Sequence, residues 1–257
     1  MLLAIDVGNT NTKFAFFEGD QIVNTFRLTT ATPRTSDEFG MTIEGLTGRF
    51  GIGKKDIHGI IVSSVVPDIM HALNNSLYRF LGKTPMIVGP GTKTGIRLVK
   101  TNPHEAGSDR IADGVAALSM FGGPVIVVDY GTATKFDYFS EEGVFESAVT
   151  CPGIMISARA LWGGTAKLPE IEIKDPGTIM AKDTITSLQA GILYGHIGEA
   201  EYIINRLIEE SNEDKDKFKV VATGGLSSII YAKTDAIQYL EQDLLMHGLR
   251  IIYDKNK

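Results

Sequence analysis

Two stretches of this chain place residues capable of chemistry in the same order. Asp6 precedes Gly8-Asn9-Thr10-Asn11-Thr12-Lys13, and Asp129 precedes Gly131-Thr132-Ala133-Thr134-Lys135. In both, an apolar run leads into the aspartate and another follows the lysine. Glycine lets backbone N–H groups turn toward an anion, and small hydroxyl or amide side chains can hydrogen-bond phosphate oxygens. A carboxylate beside phosphates repels them unless a cation lies between. Either loop alone reads more readily as a β-hairpin turn, where Gly, Asn and Thr are common. The recurrence of the whole order, aspartate before and lysine after, favours two phosphate loops.

A third cluster is Gly107-Ser108-Asp109-Arg110, at the start of a helical pattern in which Ile111, Val115 and Leu118 form one apolar stripe. Ser108 reads as its N-cap. A carboxylate here can orient an alcohol and accept its proton, an adjacent arginine can grip an anionic group by paired hydrogen bonds, and the N–H groups of Gly107 and Ser108 add donors. Spacing alone equally permits Asp109 to favour the positive helix terminus with Arg110 solvated. Asp113, one turn on, reads as a helix-surface or network residue.

Other chemistries fit less well. Gly48 to Lys54 approximates a Walker loop, but Lys55 stands where Ser or Thr should hold magnesium, and no strand precedes it. No glycine-rich fingerprint opens a helix after the first strand, which disfavours a dinucleotide fold. Cys151 precedes Pro152-Gly153 without a partnering histidine signature and reads as a packed thiol. The histidines are dispersed, with no zinc spacing.

The elements that position these residues alternate. Leu2–Ile5, Thr12–Phe17 and Gln21–Leu28 read as strands, Thr35–Phe50 as a helix, and His58–Ser64 as a buried parallel strand. A helix over Pro67–Leu81 and a strand over Thr84–Val88 follow. After the break at Gly122-Gly123-Pro124 come strands Val125–Val128 and Thr134–Phe139, a long helix Thr184–Glu210, strand Lys217–Ala222 ending in Thr223-Gly224-Gly225, and further helices. Strands and helices in this alternation imply α/β architecture.

With 257 residues, 43% hydrophobic and 22% charged, the chain has the balance of a globular protein of one large or two moderate domains. A net charge of −6 disfavours nucleic-acid binding. One cysteine excludes an intrachain disulfide, and neither a signal peptide nor a membrane span is readable, so a cytoplasmic location is expected.

Two strand–turn–strand phosphate loops and a later strand ending in Thr-Gly-Gly resemble the actin-like ATPase and sugar-kinase superfamily. That resemblance implies two related actin-like (ribonuclease H-like) domains, 1–118 and 119–257, with a nucleotide cleft between them. The two loops would face each other across the phosphates, with Thr223–Gly225 near the adenosine. At a finer level the chain resembles the type III pantothenate kinases through DVGNTNTK, IVSSVVP, GSDRIADGVAA, DYGTATKFD, the Cys-Pro-Gly corner, TAKLP, TSLQAGILYG, ATGG and HGLRIIYDKN, in that order.

The family resemblance implies transfer of the γ-phosphoryl group of ATP, with Mg2+, to the primary hydroxyl of pantothenate. Asp109 would be the general base, and Gly107, Ser108, Asp109 and Arg110 would bind pantothenate, Arg110 on its carboxylate. Asp6, Val7, Gly8, Asn9, Thr10, Asn11, Thr12, Lys13 and Thr132 would bind ATP, and Asp129 a monovalent cation, K+ or NH4+. Thr184 would enter the site of the neighbouring subunit in a homodimer, where Gly191 and Gly195 leave room for close helix contact. Without the resemblance, Thr184 reads as an ordinary N-cap.

The chain departs from the family pattern at Glu146-Ser147, at Ala181-Lys182-Asp183 and at Lys100-Thr101-Asn102, adding negative charge at the first two. Competing readings are another small-molecule or acyl-phosphate kinase of the superfamily, or a nucleotide-dependent assembly module. A binding module has no need of the base and anion grip that Asp109 and Arg110 supply.

Overall fold

The computed structural model describes residues 1–30, 33–98 and 106–257; Lys100-Thr101-Asn102 lies outside the described residues. The chain divides into two compact units, Met1–Gly95 with Thr101–Ala116 and Leu244–Lys257, and Ile96–Lys100 with Ala117–Asp243.

The first unit opens with β1 (Leu2–Val7), β2 (Asn11–Glu18) and β3 (Gln21–Thr29), an antiparallel meander. Helix α1 (Ser36–Arg49) follows, its start closed by a reciprocal capping box between Thr35 and Glu38. Strand β4 (Gly59–Ser64) pairs parallel with β1, as its unbroken β-branched run predicts. Helix α2 (Pro67–Ser76) starts with proline in its first turn and passes into a π-helical turn over Leu77–Leu81. A two-residue strand β5 (Met86–Ile87) completes the sheet, in the order β3-β2-β1-β4-β5. Phe14, Phe16, Phe39, Ile43, Val62 and Leu73 fill the core between this sheet and α1 and α2.

Helix α3 (Ser108–Phe121) leads to β6 (Val125–Tyr130), β7 (Ala133–Phe139) and β8 (Phe145–Pro152), a second antiparallel meander. Helices α4 (Ile154–Gly163) and α5 (Thr184–Glu210) precede β9 (Lys219–Thr223), which pairs parallel with β6. Then come α6 (Ser227–Tyr231), β10 (Tyr239–Leu240) and α7 (Leu244–Lys255). The second sheet runs β10-β9-β6-β7-β8. Strand for strand this repeats the first: the opening strand is central, its hairpin partner antiparallel on one side and a later strand parallel on the other. The resemblance between the two sequence stretches is therefore a repeat of topology.

Division of the sequence at 118 would put residues 244–257 in the second domain, whereas packing puts α7 in the first unit. Leu244, Met246, Leu249 and Ile252 are buried, and α7 lies against β1 and β4. A side-chain carbon at Gly248 would overlap the Ala112 carbonyl, and one at Gly59 would overlap the Tyr253 ring. Gly248→Ala should therefore destabilise the chain by about 1–3 kcal/mol, although alanine is favoured over glycine within a helix by about 1 kcal/mol. A urea melt with an unchanged m-value and a lower midpoint would register this; an unchanged or higher midpoint would contradict the close helix crossing.

Candidate active site

The structure gathers the residues singled out above into one group in each unit, with Thr184 on α5. In the first unit, β1 and β2 place Asp6 directly opposite Lys13 across the hairpin, joined by Gly8–Asn11. The Gly8 amide donates to the Asn11 carbonyl (3.1 Å), tightening the turn and leaving Asn9, Thr10 and Asn11 exposed. Val7 and Thr12 are buried. The Thr12 hydroxyl bonds that of Thr30, the residue after β3 (2.9 Å), and so ties the start of β2 to the end of the meander.

The same unit carries Gly107–Arg110. The Gly107 carbonyl accepts the Ile111 amide (3.2 Å), and α3 begins at Ser108. Ser108 is thus the first helical residue and not the N-cap expected of it. Its hydroxyl turns to the end of β4: it accepts from the Ser64 amide (3.2 Å), donates to the Ser64 carbonyl (3.3 Å) and lies 2.9 Å from the Ser63 hydroxyl. Asp109 and Arg110 are half-buried beside it. A side-chain carbon at Gly107 would meet Asp109 Oδ1 and make that carboxylate shift. Asp113 is only 2% exposed, so it belongs to the interior and not to the helix surface.

In the second unit, β6 and β7 place Asp129 opposite Lys135, joined through a tighter hairpin over Gly131–Ala133. Lys135 Nζ lies 2.8 Å from Asp129 Oδ2, with side chains 14% and 18% exposed. The carboxylate therefore has an ion-paired counter-charge from the return strand, a role for the lysine that the sequence order hinted at without assigning. Gly224, at φ +93°, borders Asp129 Oδ1, 2.6 Å from where its own side-chain carbon would sit. A side-chain carbon at Gly153 would strike the carbonyls of Gly131 and Thr132, so the Cys-Pro-Gly corner supports this loop from below. Thr132 is exposed at the tip.

Cys151 faces the sheet's covering helix α5, where burial first and then Glu199 push its thiol up, away from thiolate chemistry. Among the described residues no group of three or more His, Cys, Asp or Glu gathers as a metal cluster. Any cation at Asp129 would draw its remaining ligands from backbone carbonyls, water or nucleotide oxygens. The glycine-bordered Oδ1 fits that donor set.

Thr184 is exposed at the first position of α5, and its own helix does not use it as a cap. Asp183 fills that place, accepting the Thr186 amide (2.9 Å). Hydrogen bonds from the Thr186 amide and hydroxyl hold the Asp183 carboxyl below the usual range, so this departure serves the helix terminus. Glu146 sits near the start of β8, at the irregularity between the Phe139–Phe145 and Tyr138–Ser147 pairs, whereas the loop adjoins the Pro152 end. Roughly five residues of strand, about 17 Å, separate its charge from the Gly131–Ala133 turn. Among the described residues no helix is long and apolar enough to cross a membrane.

A family model described as type III pantothenate kinase matches residues 2–206. A type III pantothenate kinase of Agathobacter rectalis is 51% identical over 255 residues, covering 99% of this chain and 97% of that protein. The chain belongs to the type III pantothenate kinase family. Solved structures support the fold more broadly. A conserved Baf family protein from Campylobacter jejuni superposes at TM-score 0.58 and 18% identity, covering 99% of this chain and 98% of that one. An inorganic polyphosphate/ATP-glucomannokinase from Arthrobacter superposes at TM-score 0.50 and 12% identity, covering 100% and 99%. Within the type III pantothenate kinase family, then, the actin-like α/β fold carries both loops and the Gly107–Arg110 turn on this chain.

The Asp129–Lys135 contact makes a stability prediction. Lys135→Met leaves a mostly buried carboxylate without its cation and should cost about 1–3 kcal/mol. Adding Asp129→Asn should recover part of that loss in urea melts. Additive losses in the double variant would show that the two side chains do not act as a pair.

Proposed function

We propose that this chain transfers the γ-phosphoryl group of ATP to the primary hydroxyl of pantothenate, forming 4'-phosphopantothenate in the first step of coenzyme A synthesis. The observation that carries this reading is the 51% identity to a type III pantothenate kinase across 99% of the chain.

The residues divide the work by chemistry. Asp109 accepts the hydroxyl proton as the new O–P bond forms and the bond to the β-phosphate oxygen breaks, releasing ADP. Arg110 grips the pantothenate carboxylate with two parallel N–H bonds, and the N–H groups of Gly107 and Ser108 at the helix start add donors. The exposed tip Asn9–Asn11 and the Gly8 turn hold ATP phosphates, with Asp6 and Lys13 at the base of the hairpin. Thr132 does the same from the second loop. Asp129 would hold K+ or NH4+, and Mg2+ would accompany ATP; both supply positive charge against the phosphates.

We further propose a homodimer in which Thr184 enters the neighbouring subunit's site. The support is chemical. Ile179, Met180 and Ile185 are 72%, 79% and 53% exposed around the start of α5, an unusual run of apolar surface. Gly191 and Gly195 on the same helix are exposed, with open space where a side chain would stand.

Purified chain with ATP, Mg2+, K+ and pantothenate should yield phosphopantothenate by mass detection. Asp109→Asn should lower kcat by about two to four orders of magnitude, and exchanging K+ for a bulky organic cation at equal ionic strength should suppress turnover. Product equal to the Asp109→Asn background would end the functional reading, while full activity without K+ would remove the cation from Asp129.

Co-expression of Asp109→Asn with Thr184→Ala tests the shared site. One site of a mixed dimer combines the intact Asp109 of one chain with the intact Thr184 of the other, so mixed dimers should regain activity absent from both parents. A monomer in solution, or isolated mixed dimers without recovery, would place Thr184 outside a shared site.

A further inference from the structure

We infer that Ser63 is a positioning residue for phosphoryl transfer: through the Ser108 hydroxyl it fastens the first turn of α3, and with it Asp109, to the end of β4. The inference rests on the reading of Asp109 as the base.

Ser63 is 0% exposed and stands beside Asp6 in the parallel register of β1 and β4. Its hydroxyl is 2.9 Å from that of Ser108. A serine hydroxyl offers one proton and two lone pairs. The Ser108 proton goes to the Ser64 carbonyl at 3.3 Å, and one lone pair takes the Ser64 amide at 3.2 Å. That leaves Ser63 as donor to the second lone pair. The bonding capacity of the Ser108 hydroxyl is then used up within the fold. What Ser108 can still offer a substrate is its backbone N–H, one of the amides that a helix start leaves without an intrahelical acceptor.

The neighbouring hydroxyl is occupied in a similar way. Ser64 Oγ donates to the Val66 carbonyl (3.2 Å) and accepts the Val66 amide (3.1 Å), closing the turn that leads into α2. A strand end next to the Asp6 loop is thus tied by hydroxyls to the starts of two helices. Asp109 follows Ser108 directly, and its carboxylate occupies the space over Gly107 where a side chain would otherwise stand. A shift in the Ser108 anchor therefore moves the carboxylate. Apolar packing could fill the volume of Ser63, but it would set neither the rotation nor the distance of that first turn.

The test uses the full chain carrying Ser63→Ala, Ser108→Ala, both together, and Ser63→Thr, which keeps the donor. Each alanine variant should lower kcat about tenfold, since small misplacements of reacting groups are costly, while KM for pantothenate and ATP stays within about twofold. The double variant should be no slower than the slower single, because both remove one linkage. Ser63→Thr should recover most of the turnover. Thermal melts identify any variant that does not fold. If Ser63→Ala does not, the kcat-against-KM split of Ser108→Ala decides alone.

A raised pantothenate KM with kcat retained in Ser108→Ala would assign that hydroxyl to the substrate and overturn the inference. Multiplying losses in the double variant, or parental kcat in a folded Ser63→Ala, would overturn it too. Failure of the underlying reading has a different signature: no phosphopantothenate from the parent chain, or normal turnover in Asp109→Asn. Either result removes the positioning role along with the base.

Discussion

A carboxylate at the end of a buried central strand has to be neutralised, and the hairpin that follows it does so. In the second unit the return strand delivers Lys135 to within 2.8 Å of Asp129. The cross-strand register fixes that meeting, because Asp129 and Lys135 are opposed residues and not merely neighbours in sequence. The first hairpin opposes Asp6 and Lys13 in the same way. Once these pairs are set, the loop between them must be short, polar and rich in glycine. The strand carrying the aspartate must also be central, with a parallel neighbour on its other side. Both sheets meet those requirements with the same strand order.

Many side chains that look available for ligands are engaged in holding the fold. The hydroxyls of Thr12, Ser63, Ser64 and Ser108 all bond other parts of the first unit. Glycines mark the places where a backbone or carboxylate needs the volume of a missing side chain, as at Gly107, Gly153 and Gly224. The tip of each loop is exposed, and Asp109 and Arg110 stand half-buried at the start of α3, where the first backbone N–H groups of the helix have no intrahelical acceptor. Phosphoryl transfer relies on positioning and charge more than on covalent chemistry. Backbone donors fixed by a hairpin or a helix start suit that demand.

The strands, the long helices and both glycine-bearing hairpin loops were legible because their periodicity and punctuation are local. The glycine and proline breaks, the β-branched run of β4 and the apolar stripe of Ile111, Val115 and Leu118 each act within a few positions. Partners across space were not legible. Nothing near Ser108 in sequence announces that its hydroxyl will leave its own helix for Ser64, 44 residues earlier. The same holds for Asp183 taking the cap that Thr184 was positioned to supply: two adjacent polar residues competed, and the carboxylate won at the positive helix end. The Cys-Pro-Gly corner was recognisable as a motif, but its purpose, backing the Gly131–Thr132 carbonyls, depends on the β7–β8 register.

The return of α7 to the first unit affects how the chain can be made. A polypeptide leaves the ribosome from its N-terminus, and the first unit would otherwise be the first to close. Its apolar covering over β1 and β4 is not synthesised until residues 244–257 emerge, after the whole of the second unit. During that interval the first sheet has α1 and α2 on one face and lacks α7 on its other side. Completion of the unit that carries Asp109 therefore waits until the second unit has been synthesised, and a nascent chain arrested short of α7 would hold Asp6 and Asp109 on an unfinished core.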